Sequence, residues 1–221
     1  MPRTRVKICG VCRPEDAAVA VRHGADAIGM IRVRGKERYV SIAEAKAIIG
    51  ALPAFVTPVL LYVDPTPDEV IADVVQIGRT VTIQLNGEEP AKTIAGLRGV
   101  NVIKAVRVDE HIGEQLVQLR EAELPNLAGI VLETPGQIGG SGVANDWDTV
   151  AQLIKDDSFD RLPPLIAAGG LTPASVGEVI RAIRPFAVDV SSGVDVSKDV
   201  KREKSEAKIA AFVAAVRNAD Q

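Results

Sequence analysis

Aromatic residues make up only 3% of this 221-residue sequence: one Trp, two Tyr and four Phe. So few rings leave little material for base-stacking platforms or aromatic sugar clamps. Cysteine is confined to Cys9 and Cys12, which excludes a disulfide framework. No apolar run reaches the roughly 18 residues a membrane helix needs. Met1-Pro2-Arg3-Thr4-Arg5 leads straight into a strand-like segment with no signal-peptide core. Neither sign of charge dominates: Lys plus Arg is 26, Asp plus Glu is 29, and the net charge is −3. No global field therefore draws nucleic acid or an anionic membrane. The two histidines, His23 and His111, stand at no metal-ligand spacing, so no metal is expected. The expectation is a cytoplasmic, reduced protein with neither a nucleic-acid nor a membrane partner. Hydrophobic residues at 47% and charged residues at 25% are ordinary for a globular chain with a full core.

What is present is alternation. Eight short apolar runs recur: Val6–Cys9, Ala27–Ile31, Pro58–Val63, Val81–Leu85, Val102–Val106, Gly129–Leu132, Pro164–Ala168 and Phe186–Val190. Most are continuous rather than alternating, the pattern of strands buried on both faces. Helical patterns lie between them. Val176, Val179, Ile180 and Ile183 recur at i, i+3, i+4 and i+7, as do Ile209, Phe212, Val213 and Val216. Helix starts are read at Arg13-Pro14, at Asp64-Pro65-Thr66-Pro67 and at Thr172-Pro173. Eight units in this length allow about 28 residues each, which suits a compact α/β fold, a single (β/α)8 TIM barrel over residues 1–221. An open doubly wound sheet is the rival.

In a barrel the strand ends and the loops after them form the active face. Glycine-rich loops there, Gly169-Gly170-Leu171-Thr172 and Ser191-Ser192-Gly193, either make tight turns or bring backbone N–H groups onto a phosphate. Cys9 closes the first run and is either a buried small hydrophobe or a thiolate base. With Cys12 it also fits C-x-x-C, a redox alternative. Glu133 ends the sixth run and could act as a general acid if burial raised its pKa, or be a solvated loop acid. Arg32, Arg34, Lys36 and Arg38 form a basic loop, a solvated face unless one arginine clamps a carboxylate. Asp189, an acid inside the last apolar run, is costly unless it orders the backbone or a cation.

Taken together these stretches resemble the N-(5′-phosphoribosyl)anthranilate isomerase family of tryptophan biosynthesis. The matching segments are Lys7-Ile8-Cys9-Gly10, Gly24-Ala25-Asp26-Ala27-Ile28-Gly29, Arg38-Tyr39-Val40-Ser41 and Gln84-Leu85 with Gly87-Glu88-Glu89. They continue with Gly139-Gly140-Ser141-Gly142, Asp146-Trp147, Gly169-Gly170-Leu171-Thr172-Pro173 and Val188-Asp189-Val190-Ser191-Ser192-Gly193-Val194. They span nearly the whole chain in order. The resemblance implies a ribulose-phosphate-binding barrel that performs a cofactor-free Amadori rearrangement on a small phosphorylated substrate, as a monomer or homodimer. It implies Cys9 as the base that takes the C2′ proton and Glu133 as the acid that opens the ring. Arg38 falls on the carboxylate-binding position. Gly140, Gly169, Gly170, Ser191, Ser192 and Gly193, with Asp189, are the other expected substrate-binding residues.

Three departures from the family pattern stand out. Glu133 occupies a position where the family has Asp, and the added methylene could displace the acid; about 1 Å at a reacting group can cost on the order of 10²-fold in rate. Asn86 replaces the usual His and cannot titrate. Asn145 replaces a Phe, and the usual Pro-Gly is missing between Asp195 and Lys204. The alternative these changes raise is a divergent sugar-phosphate barrel with another substrate or no catalysis.

Overall fold

The computed structural model describes residues 3–134 and 145–221. Within them eight parallel strands close into one barrel in sequence order. The strands are β1 (Arg5–Ile8), β2 (Ala27–Ile31), β3 (Thr57–Tyr62), β4 (Thr82–Leu85), β5 (Asn101–Arg107), β6 (Leu127–Glu133), β7 (Leu165–Ala167) and β8 (Ala187–Val190). Helices α1 (Pro14–His23), α2 (Ile42–Gly50), α3 (Pro67–Ile77), α4 (Ala91–Gly96), α5 (Ile112–Glu121), α6 (Trp147–Lys155), α7 (Val176–Ile183) and α8 (Glu206–Ala219) alternate with them. A 3-10 turn (Ser192–Val194) follows β8. Each expected strand is found to within about two residues at either end, the usual slack in such boundaries. Closure of β8 on β1, with Arg5, Val6, Lys7 and Ile8 beside Ala187, Val188, Asp189 and Val190, excludes the open sheet.

The near-continuous apolar runs now have their cause. One set of alternate residues, such as Val6, Ile8, Ile28 and Leu60, packs under the helices in the main core. The other set fills the barrel: Ile103, Ala105, Val131, Ile166, Ala168 and Ala187 form a separate buried cluster. Neighbouring registers place Ala105 beside Val131, Val131 beside Ile166 and Ile166 beside Ala187. Residues two further along a strand share that inward face, so Glu133, Asp189 and Cys9 follow Val131, Ala187 and Lys7 toward the barrel mouth.

The helix readings hold on their buried faces. Val176, Val179, Ile180 and Ile183 are buried in α7, and Ile209, Phe212, Val213 and Val216 in α8. Each such side chain contributes about 1.5–3 kcal/mol relative to exposure. Proline begins α1, and Thr66 with Glu69 forms a reciprocal cap on α3. The expected start at Thr172-Pro173 needs correction: α7 begins at Val176, with Ser175 at its cap. Thr172 instead closes a turn, its Oγ1 accepting from the Ser175 N–H at 3.2 Å while its own N–H donates to Ser175 Oγ at 3.1 Å.

Candidate active site

The C-terminal ends of β1, β4, β6 and β8 bring a polar cluster onto an otherwise apolar barrel. Lys7 and Asp189 sit side by side across the β1–β8 seam, and Lys7 Nζ lies 2.5 Å from Asp189 Oδ2. Both side chains are about 5% exposed. Asp189 thus orders a cation, as its place in an apolar strand requires, and the cation is a lysine ammonium. Glu133, also buried, accepts a hydrogen bond from Asn86 Nδ2 at 3.3 Å, and Asn86 Oδ1 accepts one from Gln84 Nε2 at 2.8 Å. A residue that cannot titrate therefore fixes the orientation of one that can.

The environments of the two candidate reacting groups differ in kind. Burial pushes the Glu133 carboxyl up, the Asp189 charge adds to this, and Lys7, Asn86 and Arg107 oppose it; the result is about 7. A carboxylic acid half protonated at neutral pH suits general acid chemistry. Burial also raises the Cys9 thiol, with Lys7 and Lys204 pulling it back and Asp189 adding to the rise. Cys9 is therefore a basic thiolate when ionised, not a stabilised leaving group.

One pocket gathers Cys9, Glu133, Gly169, Gly170, Asp189, Ser191 and Ser192, with Ala168 and Leu171 between them. Gly169 and Gly170 both have positive φ, +85° and +64°, the conformation that favours glycine and turns the backbone tightly after β7. Gly193 is needed for space instead. A Cβ there would stand 2.1 Å from the Leu171 carbonyl oxygen, so the two candidate phosphate loops touch backbone to backbone. Gly193→Ala should force them apart and destabilise the fold by about 1–3 kcal/mol, read as a lower urea midpoint at unchanged slope. An unchanged midpoint would mean that the contact yields freely.

Arg38 reaches this mouth from the β2–α2 loop. It is buried, its Nη2 donates to Asp195 Oδ2, and its Nε is buried without an acceptor among the described residues. A Cβ at Gly10, 2.6 Å from Arg38 Cδ and 3.0 Å from Ser191 Oγ, would obstruct this packing. The rest of the basic loop divides as its exposure dictates. Arg34 and Lys36 face solvent, and Arg32 pairs with Asp73 at 2.9 Å.

The other departures also have structural partners. Asn145 Nδ2 donates to the carbonyls of Ala168 at 2.8 Å and Leu132 at 3.3 Å, tying the ends of β6 and β7. Asp195 and Lys204 form an antiparallel bridge and a buried ion pair at 2.7 Å, which close the segment lacking Pro-Gly. Lys204 also donates to the Ser191 carbonyl at 3.0 Å. Sequence reading missed Lys7, Gln84 and Lys204 as site residues. The inward alternation of Lys7 with Cys9 and of Gln84 with Asn86 was the available signal. Gly140 lies outside the described residues. Cys9 and Cys12 are both free thiols, and Cys12 Sγ lies 3.6 Å from the carbonyl oxygens of Gly10 and Arg38.

The closed barrel, with a buried acid and a thiol sharing one pocket at its strand ends, defines a (β/α)8 barrel with its candidate site on the C-terminal face. The sequence model of N-(5′-phosphoribosyl)anthranilate (PRA) isomerase matches residues 6–215. The N-(5′-phosphoribosyl)anthranilate isomerase of Pseudomonas aeruginosa is 42% identical, over 99% of this chain and 97% of that one. That of Methanocella arvoryzae is 37% identical, over 97% and 98%. The solved phosphoribosyl anthranilate isomerase of Thermotoga maritima superposes with a TM-score of 0.85 at 34% identity, covering 97% of this chain and 99% of that one. A phosphoribosyl anthranilate isomerase in complex with reduced 1-(o-carboxyphenylamino)-1-deoxyribulose 5-phosphate gives 0.81 at 33%, with the same coverage. The chain belongs to the N-(5′-phosphoribosyl)anthranilate isomerase family, and is an isomerase of tryptophan biosynthesis.

Proposed function

We propose that this barrel, acting as one domain, isomerises N-(5′-phosphoribosyl)anthranilate to 1-(2-carboxyphenylamino)-1-deoxyribulose 5-phosphate with Glu133 as acid and Cys9 as base. The observation that carries this reading is the pairing in one pocket of a thiol with a carboxyl whose pKa is raised to about 7. Glu133 gives its proton to the furanose oxygen. The C1′–O bond breaks as the anilino nitrogen lone pair forms a C=N bond. Cys9 then takes the C2′ proton, leaving an enol that tautomerises to the ketone at C2′. C2′ is oxidised and C1′ reduced within one molecule, so substrate and product are isomers and no outside oxidant or cofactor is consumed.

Arg38, with a donor free of acceptors among the described residues, would hold the anthranilate carboxylate. The paired loops at Gly169-Gly170 and Ser191–Gly193 would hold the phosphate, and Gly140 is a further expected substrate-binding residue. Asp189 presents Oδ1, buried and without a partner among the described residues, for a ligand hydroxyl to donate to. The protein would work in the cytoplasm, where its free thiols stay reduced. It would be a monomer or a homodimer: one solved neighbour comprises generated monomers of the dimeric Thermotoga maritima enzyme. Sedimentation equilibrium distinguishes the two.

The direct test is loss of phosphoribosylanthranilate fluorescence with the ketose product confirmed. Arg38→Lys should raise KM about 10- to 100-fold with a smaller change in kcat, because a point ammonium cannot make the two-pronged contact. An unchanged KM would remove Arg38 from carboxylate recognition. No turnover, with a product analogue still bound, would favour the divergent sugar-phosphate barrel.

A further inference from the structure

Lys7 is a buried lysine that the acid–base scheme leaves without a task. It sits two residues before Cys9, so both side chains enter the barrel from one face of β1. Across the β2 seam the neighbour is Gly29. A Cβ there would lie 2.8 Å from Cys9 Sγ and 3.2 Å from Lys7 Cε. The sulfur and the lysine stem therefore share the space that any other residue at 29 would occupy. On the other seam the ammonium is held at 2.5 Å by Asp189 Oδ2. Cys9 and Asp189 line the pocket, and Lys7, 4% exposed, lies against both.

We propose that Lys7 is a positioning residue for the isomerisation: clamped on Asp189, its ammonium is the fixed counter-charge against which the Cys9 thiolate forms. The inference rests on Cys9 as the base. A buried thiolate without a cation pays the full desolvation cost of its charge; a fixed neighbouring ammonium offsets much of it. The charges around Cys9 support the assignment. Lys7 is the largest influence opposing burial there, ahead of Asp189, which acts the other way, and of Lys204. Burial disfavours the charge on Lys7, yet Asp189 and Cys9 together hold its pKa above the ordinary lysine range. Glu133 also faces this cluster from β6 and interacts with both Lys7 and Asp189.

A merely structural ion pair would respond alike to the loss of either partner. A counter-charge responds in opposite directions, and that difference is the test. In a Cys12→Ser background only one thiol remains, and its ultraviolet thiolate absorbance can be titrated without substrate or turnover. Lys7→Met should shift that titration upward by one pH unit or more, leaving about tenfold less thiolate at a given pH. Asp189→Asn should shift it downward, and Lys7→Arg should keep it near the parent. In turnover, Lys7→Met should lower kcat at least about tenfold with little change in KM. Shifts of the same sign in Lys7→Met and Asp189→Asn, or no shift in either, overturn the proposal. If Lys7→Met does not fold, Lys7→Gln takes its place and must shift the titration upward while Asp189→Asn shifts it downward. Opposite shifts with turnover insensitive to Cys9 would instead keep the electrostatics and refute Cys9 as the base.

Discussion

Cys9→Ser is expected to lose about 10²–10⁴-fold in kcat, the range supplied by a positioned general base, while product-analogue affinity changes little. Serine keeps the shape and the hydrogen-bonding capacity of the side chain, but its hydroxyl ionises far above any working pH. The raised thiol of Cys9 and the raised carboxyl of Glu133 set the form of the pH profile. In the proposed scheme turnover needs Cys9 without its proton and Glu133 with one. Because Glu133 at about 7 is the stronger acid of the two, most singly protonated molecules carry the proton on sulfur instead. Only a minority hold the productive arrangement. The ratio of the two forms is constant with pH, so kcat/KM should trace a bell. Its acidic limb should fall near 7 and its alkaline limb above the ordinary cysteine range. Full activity in Cys9→Ser, measured by substrate fluorescence, would remove the thiol from the mechanism.

Glu133→Gln should lose about 10²–10⁴-fold in kcat and abolish the limb near 7, because the amide keeps the Asn86 contact but has no acidic proton. Glu133→Asp should retain or improve activity, since the shorter acid is the family's usual residue. Glu133→Ala with wild-type turnover would place the acid elsewhere. The same carboxyl makes a signed prediction for stability. Its folded pKa of about 7 exceeds the ordinary 4.5. Between those values the folded protein holds a proton that the unfolded chain has lost. Its contribution is complete below about pH 4.5 and is lost as pH rises through about 7. The difference is on the order of a few kcal/mol at most. Urea denaturation at about pH 5 and about pH 8 should show a drop in the parent that Glu133→Gln flattens. Equal slopes in the two proteins would show that Glu133 ionises freely.

The barrel was legible because its evidence is local. Strands buried on both faces must be apolar at consecutive positions, and Ala27–Ile31 is read from sequence with the limits the structure has. The stripe at Val176, Val179, Ile180 and Ile183 marks the buried face of α7 wherever that helix packs. The start of α7 was misplaced because Thr-Pro signals a turn as well as a helix, and here Thr172 and Ser175 satisfy each other's backbone. Cys9, Glu133 and Asp189 could be suspected because each ends or interrupts an apolar strand, where a polar group needs a reason.

The sequence by itself determined eight strand–helix units, the faces that pack, and the loops from which a site would be built. Composition and short-range periodicity are sufficient for these. Only the tertiary structure decided what the site's charges do. Lys7 and Asp189, 182 positions apart, become a buried pair because β8 closes on β1. Arg38, Asp195 and Lys204 likewise meet only when the β2 and β8 loops converge. Glu133 becomes a neutral-pH acid, not a solvated carboxylate, because the closed barrel removes water and sets Asp189 within reach. Desolvation and long-range Coulomb interactions are properties of the assembled barrel, and no local pattern in the chain encodes them.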